Sequence, residues 1–168
     1  VKPSYFPIIK LARVGYCGKL IQIHKVRTMY PYSEFIQKKA FQINEMSKSG
    51  KVKSDFRRNW WGKILRRYWL DELPQLIDWL RGNIKIVGIR AMSHHYFSLY
   101  PDRYKVKYFR VKPGFIGPIF DEKNGSFEQI VNTEEEYLDQ YLKSPFFTDL
   151  RYFFKTLNEI FFRGVKSN

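Results

Sequence analysis

The chain has 168 residues, with 30 Lys and Arg against 16 Asp and Glu and a formal net charge of +14. Its length suits one domain, residues 1–168, with a real hydrophobic core, and its cation excess predicts an anionic partner: nucleic acid, an anionic membrane surface or a phosphate-bearing substrate. Cys17 stands alone and the histidines are His24, His94 and His95, which excludes a disulfide framework and any zinc spacing; no apolar run approaches the roughly 18 residues of a spanning helix.

Residues 1–9 read as an irregular, proline-punctuated lead-in, and Arg13 to Lys19 as a turn. Leu20 to Val26 alternates as a strand. Ser33 is placed to cap a helix carrying Phe35, Ile36, Ala40, Ile43 and Met46 and ending near Gly50, with a polar loop over Lys48 to Lys53. Trp60 to Tyr68 predicts a short basic-aromatic helix. The next helix takes Asp71 as N-cap and Pro74 in its first turn, with Leu73, Leu76, Ile77 and Leu80 as its buried stripe and Gly82 as its stop. Ile84 to Val87 predicts a short strand, Ser93 to Tyr100 a helix, and Lys112 to Pro118 a Gly/Pro-rich loop. Thr133 with Glu136 fits a capping box for a helix running to about Leu142; Ser144-Pro145 breaks it, and Thr148 caps a last, Phe-rich helix. The expected class is α+β: a mostly helical single domain with a small β-sheet and amphipathic, membrane-interface helices.

The adjacent carboxylates Asp71 and Glu72 admit two readings on residue type alone. Ordinary helix capping is the commoner. The other is chemistry, in which the positive end of the helix dipole holds Asp71 ionised as a nucleophile toward phosphorus and Glu72 binds Mg2+ or takes a proton. Lys25 and Arg27 alternate, so they project to one side of the strand as a diphosphate clamp or as a solvated edge. Arg90, after a strand and a glycine, is a phosphate ligand or a surface charge. The basic-aromatic stretch Arg57 to Trp69 suits a membrane interface, single-stranded nucleic acid or a plain core helix.

The ordered set Arg13-x-Gly15, Gly18-Lys19, Lys25-x-Arg27-Thr28-Met29, Leu65-Arg66, Leu70-Asp71-Glu72-Leu73-Pro74-Gln75-Leu76, Arg81-Gly82, Val87-Gly88-x-Arg90 and Lys112-Pro113-Gly114 resembles the bacterial sugar transferase family, the monotopic polyprenol-phosphate phosphoglycosyl transferases. The similarity runs from about residue 10 to about 155. The resemblance implies transfer of a sugar-1-phosphate from a nucleoside diphosphate sugar, usually UDP-linked, to undecaprenyl phosphate, initiating a surface glycan. It implies Asp71 as the nucleophile that carries a covalent phosphosugar, Glu72 as its assistant, and Mg2+ as cofactor with Asp71 and Glu72 as ligands. Lys25, Arg27, Arg90, Lys19 and Arg13 become the substrate-binding set, and Asp139 and Asp149 match acids of the family's C-terminal part. The implied location is the cytoplasmic face of the bacterial inner membrane, against its lipid surface, with no nucleic-acid partner.

Three features depart from the family pattern. Ile89 and Ala91 stand where prolines flank the arginine, and Ile116-Gly117-Pro118-Ile119-Phe120-Asp121 replaces Thr-Gly-Trp-Ala-Gln-Val. Family members begin with a hydrophobic re-entrant helix that this chain lacks, and the start at Val1 favours truncation. The changed loops raise an inactive membrane-surface scaffold as the alternative function, and the +14 charge a basic nucleic-acid-binding module as a third.

Overall fold

The computed structural model describes residues 5–31, 33, 36, 56–118 and 126–163. The expected helix between Ser33 and Gly50, the loop after it and Ile119 to Asp121 lie outside them, apart from Ser33 and Ile36.

Two strands open the described chain, β1 (Ile8–Val14) and β2 (Leu20–Val26). They pair antiparallel from Ile8 opposite Val26 to Val14 opposite Leu20. The lead-in expected to be irregular therefore ends in the first two residues of a strand, Ile8 and Ile9, and that strand runs on into the expected turn as far as Val14. Its alternation Ile9, Leu11, Arg13 places a half-buried residue at every second position. The 3-10 turn Tyr16–Gly18 joins the two strands.

Helix α1 (Trp60–Arg67) starts on Asn59, whose side chain accepts from the Gly62 amide at 2.7 Å. It ends at Arg67 with Tyr68 as C-cap, and Trp69 leads into a 3-10 turn, Leu70–Glu72, and then α2 (Gln75–Leu80). Gly82, at φ 73°, ends that segment in a left-handed conformation that costs glycine nothing.

The second sheet is a parallel pair, β3 (Lys85–Val87) with β4 (Gly114–Ile116). The loop expected over residues 112–118 is thus partly strand. A Cβ on Gly114 would lie 2.2 Å from the Gly88 nitrogen, so only glycine permits the two backbones to meet here. Between these strands run α3 (His94–Ser98), capped by Ser93, and α4 (Asp102–Tyr108), which the sequence reading had not marked.

Helix α5 (Phe127–Lys143) begins with a reciprocal capping box of Ser126 and Gln129, seven residues before the expected Thr133–Glu136 box. Thr133 lies inside the helix and donates to the Gln129 carbonyl at 2.9 Å. Helix α6 (Pro145–Arg163) begins at Pro145, not after Thr148, because proline is suited to a first helical turn.

The core gathers Val14, Val87, Ile89, Met92, Phe97, Tyr100, Tyr104, Tyr108, Tyr137, Leu138 and Tyr152. Its aromatic members are Phe97 and five tyrosines, whereas Trp60, Tyr68, Trp79, Phe146, Phe147 and Phe154 are among the aromatic side chains left exposed. The Tyr108 hydroxyl donates to the Val14 carbonyl at 2.9 Å, and Val14 bridges to Met92, so the β1–β2 ribbon is tied to the helical body beside Arg90. The α+β expectation holds, with two small sheets in place of one among the described residues. Among them no helix is long and apolar enough to cross a membrane.

Candidate active site

The dyad is carried by the 3-10 turn between α1 and α2, so Asp71 is not the N-cap expected of it. The residue preceding α2 is Pro74, which has no side-chain cap. Both carboxylates are nonetheless buried, Asp71 4% exposed and Glu72 3%.

Helix α2 faces opposite to its apolar pattern. Gln75 and Asp78 are buried, whereas Leu73, Leu76, Ile77 and Leu80 are exposed, Leu80 by 76%. The expected buried stripe is thus an outward surface. The reason lies in Asp78, which is fully buried. Its Oδ2 accepts the His24 backbone amide at 2.7 Å, and its Oδ1 lies 2.7 Å from His24 Nδ1. A buried carboxylate with two short partners fixes which face of a six-residue helix turns inward. That same face brings Glu72 to β2.

Lys25, next to His24 on β2, donates from Nζ to Glu72 Oε1 at 2.8 Å. Arg90 Nη1 donates to the same oxygen at 3.1 Å. Arg13, Ile23, Lys25, Glu72, Gln75, Arg90 and Ala91 line a cavity of about 120 Å³. Three cations therefore share one small cleft with a single carboxylate among its lining residues. Arg66, on α1, is held by its Nε donating to Thr28 Oγ1 at 2.9 Å and adds positive field at both dyad acids.

The two acids differ electrostatically. Burial pushes Glu72 upward, but Arg90 and Lys25 outweigh it and hold the carboxyl below the ordinary glutamate range. Burial likewise pushes Asp71 up, and there it prevails: Lys25 and Arg66 pull down, Glu72 pushes up, and the result lies above the ordinary aspartate range. Burial also lowers Lys25, against the pull of Glu72, and lowers Arg13. The dipole argument expected Asp71 to be favoured as the anion. Instead Glu72 is the stabilised anion, and Asp71 is the carboxyl that burial raises.

Asp71 Oδ1 is buried and has no hydrogen-bond partner. Both cation contacts of Glu72 use Oε1. The dyad thus offers carboxylate oxygens to a ligand. No group of three or more His, Cys, Asp or Glu is placed to hold a metal among the described residues. Two carboxylates completed by substrate oxygens and water suit Mg2+, which is seldom caged by protein alone.

Not every expected site residue joins this cleft. Arg27 follows the end of β2, and its Nε donates to the Phe6 carbonyl at 3.0 Å, so alternation no longer aligns it with Lys25. Lys19 is exposed in the turn between the strands. Asp139 pairs with Lys107 at 2.7 Å on the α4–α5 surface. Asp149 accepts from Lys85 Nζ at 2.9 Å and from the Tyr137 hydroxyl at 2.7 Å, while Lys85 sits 3.4 Å above the Tyr141 ring. This network ties β3 to α5 and α6, remote in its contacts from the dyad. His24, Trp69, Gln75 and Asp78 belong to the site or its frame and were missed. One signal was available: Asp71, Gln75 and Asp78 fall at helical spacing as a polar stripe.

Set against known proteins, the bacterial sugar transferase profile matches residues 3–163. The chain belongs to the bacterial sugar transferase family. Within that family it is 32% identical over 152 residues to the exopolysaccharide production protein ExoY of Rhizobium meliloti, covering 86% of this chain and 66% of the relative. It is 31% identical over 150 residues to the undecaprenyl-phosphate galactose phosphotransferase of Salmonella typhimurium, covering 86% of this chain and 31% of that protein. It is 35% identical over 114 residues to the UDP-glucose:undecaprenyl-phosphate glucose-1-phosphate transferase of Klebsiella pneumoniae, covering 66% and 22%. This bacterial sugar transferase therefore spans about two thirds of the ExoY relative and under a third of the two phosphotransferases.

Proposed function

We propose that the chain is a phosphoglycosyl transferase, moving a sugar-1-phosphate from a nucleoside diphosphate sugar, a UDP-sugar in the first instance, to undecaprenyl phosphate. The observation that carries this reading is the buried, unpartnered Asp71 oxygen beside a Glu72 that gathers Lys25 and Arg90. The names of the Salmonella and Klebsiella relatives support the substrate classes.

In the first step an Asp71 carboxylate oxygen attacks the sugar-bearing phosphorus. The bond from that phosphorus to the bridging oxygen breaks, and its electron pair leaves on the nucleoside monophosphate. In the second, a phosphate oxygen of the lipid attacks the same phosphorus. The acyl-phosphate bond breaks and returns the Asp71 carboxylate, giving a lipid diphosphate sugar. Arg13, Lys25 and Arg90 neutralise charge on the equatorial oxygens, the main task in phosphoryl transfer. Glu72, held as the anion by two cations, is a poor proton acceptor. Its part is to fix Lys25 and Arg90 around the reacting phosphorus. Asp71 and Glu72 would hold Mg2+, which supplies further charge neutralisation when bound.

The lipid acceptor accounts for the outward apolar surface. On α1, Trp60 is 73% exposed and Ile64 is exposed beside Lys63 and Arg67, with Tyr68 just past its end; Leu73 before α2 and Leu76, Ile77, Trp79 and Leu80 on it extend the surface. Apolar groups rimmed by cations suit an anionic bilayer surface, here the cytoplasmic face of the inner membrane. The test is adduct capture. Protein incubated with UDP-sugars and Mg2+ should gain the mass of one sugar phosphate on Asp71 and release UMP, and Asp71→Asn should do neither. UMP release unchanged in that variant would refute the nucleophile.

A further inference from the structure

Trp69, two residues before Asp71, combines three features. Its φ is 63°, a left-handed conformation in which a bulky residue is a genuine outlier. Its indole Nε1 is buried without a hydrogen-bond partner. Its ring lies under Arg90, whose guanidinium carbon is 4.5 Å from the ring centroid. The backbone does not call for tryptophan here, since glycine satisfies a left-handed helix end without strain. Hydrogen bonding does not either, because the N–H is left unmade. What the side chain supplies is a flat face beneath one cation.

Arg90 has need of such a face. Its side chain is 41% exposed, no proline stiffens Ile89-Arg90-Ala91, and its one hydrogen bond among the described residues is Nη1 to Glu72. A long side chain held at one point sweeps a wide arc, whereas stacking on a ring fixes the plane of the fork and leaves its edge free. We infer that Trp69 is a positioning residue for Arg90, its indole face setting the guanidinium plane so that one N–H rests on Glu72 and the others are presented together to a phosphate group. The second half of this inference rests on reading the cleft as a phosphate site.

Two measurements on the full chain test it. In NMR spectra, the Arg90 Nε–H should carry an upfield ring-current shift that persists in Trp69→Phe and vanishes in Trp69→Leu. In calorimetry with inorganic pyrophosphate, Trp69→Leu should bind about 3- to 10-fold more weakly and Trp69→Phe near wild type. Arg90→Ala should bind no better than the Trp69→Leu/Arg90→Ala double variant, because Trp69 acts only through Arg90. Trp69→Gly, which suits the backbone and guards against a folding loss, should behave as Trp69→Leu. Additive losses, equal weakening in the Phe and Leu variants, a Gly variant that binds like wild type, or an unshifted Arg90 signal would each overturn the inference. A shifted, Trp69-dependent signal without pyrophosphate binding would uphold the positioning and overturn the phosphate reading alone.

Discussion

Asp78 and His24 are joined twice, through the His24 backbone amide and through its ring, with both contacts at 2.7 Å. The pair locks α2 to β2 one residue from Lys25. Asp78→Ala should destabilise the protein by about 3 kcal/mol, since it strands a buried amide and an imidazole together. Asp78→Asn keeps one acceptor and should cost less. Urea unfolding measures both, and equal stability of all three proteins would remove Asp78 from the frame.

The acid limb of activity should follow Asp71. Burial raises its pKa above the ordinary aspartate range, and in the proposed mechanism Asp71 attacks in its ionised form. Activity therefore falls as pH drops through that raised value. Lys25 pulls Asp71 downward, so Lys25→Met should move the acid limb to higher pH as well as lowering the rate. A limb displaced to lower pH in kcat/KM profiles would contradict this assignment.

Removing the Glu72 charge should disorganise its two cations without emptying the cleft. Glu72→Gln preserves shape and leaves Lys25 and Arg90 facing each other unneutralised. The expected loss in kcat is roughly 100-fold, the scale of one misplaced charge-stabilising group. UMP release and adduct yield on the same samples would show whether the loss falls on the first displacement.

Glu134 sets a separate pH dependence, of stability. Burial pushes its pKa up to about 7, opposed in part by Tyr104, whose hydroxyl donates to Oε2 at 2.6 Å. A folded pKa above the unfolded one means stability is fully present below the unfolded value near 4.5 and is lost as pH rises toward 7. The loss should be on the order of 3 kcal/mol across that window. Glu134→Gln should flatten this component, as read from urea midpoints between pH 5 and pH 8.

Leu76→Ser and Leu80→Ser should separate surface from core. Both leucines are exposed, so stability should change by less than about 0.5 kcal/mol. Partitioning onto anionic vesicles should fall by about tenfold for the double variant, given the transfer energy of two leucines. Undiminished partitioning would place the lipid contact on another face.

The motif order made the family legible because it records spacing, which survives without any knowledge of packing. The strand over Leu20 to Val26 and the helix after Asn59 were legible from alternation and composition. The orientation of α2 was not. A hydrophobic stripe normally points inward, and here the buried Asp78, tied to His24, turns the opposite face of the helix to the core. Arg27 was misplaced because strand alternation was extended one residue beyond the strand's end at Val26. The start of α5 was placed seven residues late, because only the Thr133–Glu136 pattern was read and the Ser126–Gln129 box that opens the helix was not.

The parallel pair of β3 and β4 is three residues long on each side, and the whole stretch 88–113 intervenes. Arg90 leaves directly from that pair, while the dyad and Lys25 assemble without it. Closing so long a loop onto so few backbone contacts is entropically slow compared with forming the β1–β2 ribbon and the helices. Competence should thus be the last property the chain acquires as it assembles: on dilution from urea, far-ultraviolet ellipticity returns first and adduct formation on Asp71 lags behind. A Gly114→Ala substitution, by holding the two strands apart, should stretch that lag while leaving the early ellipticity gain intact.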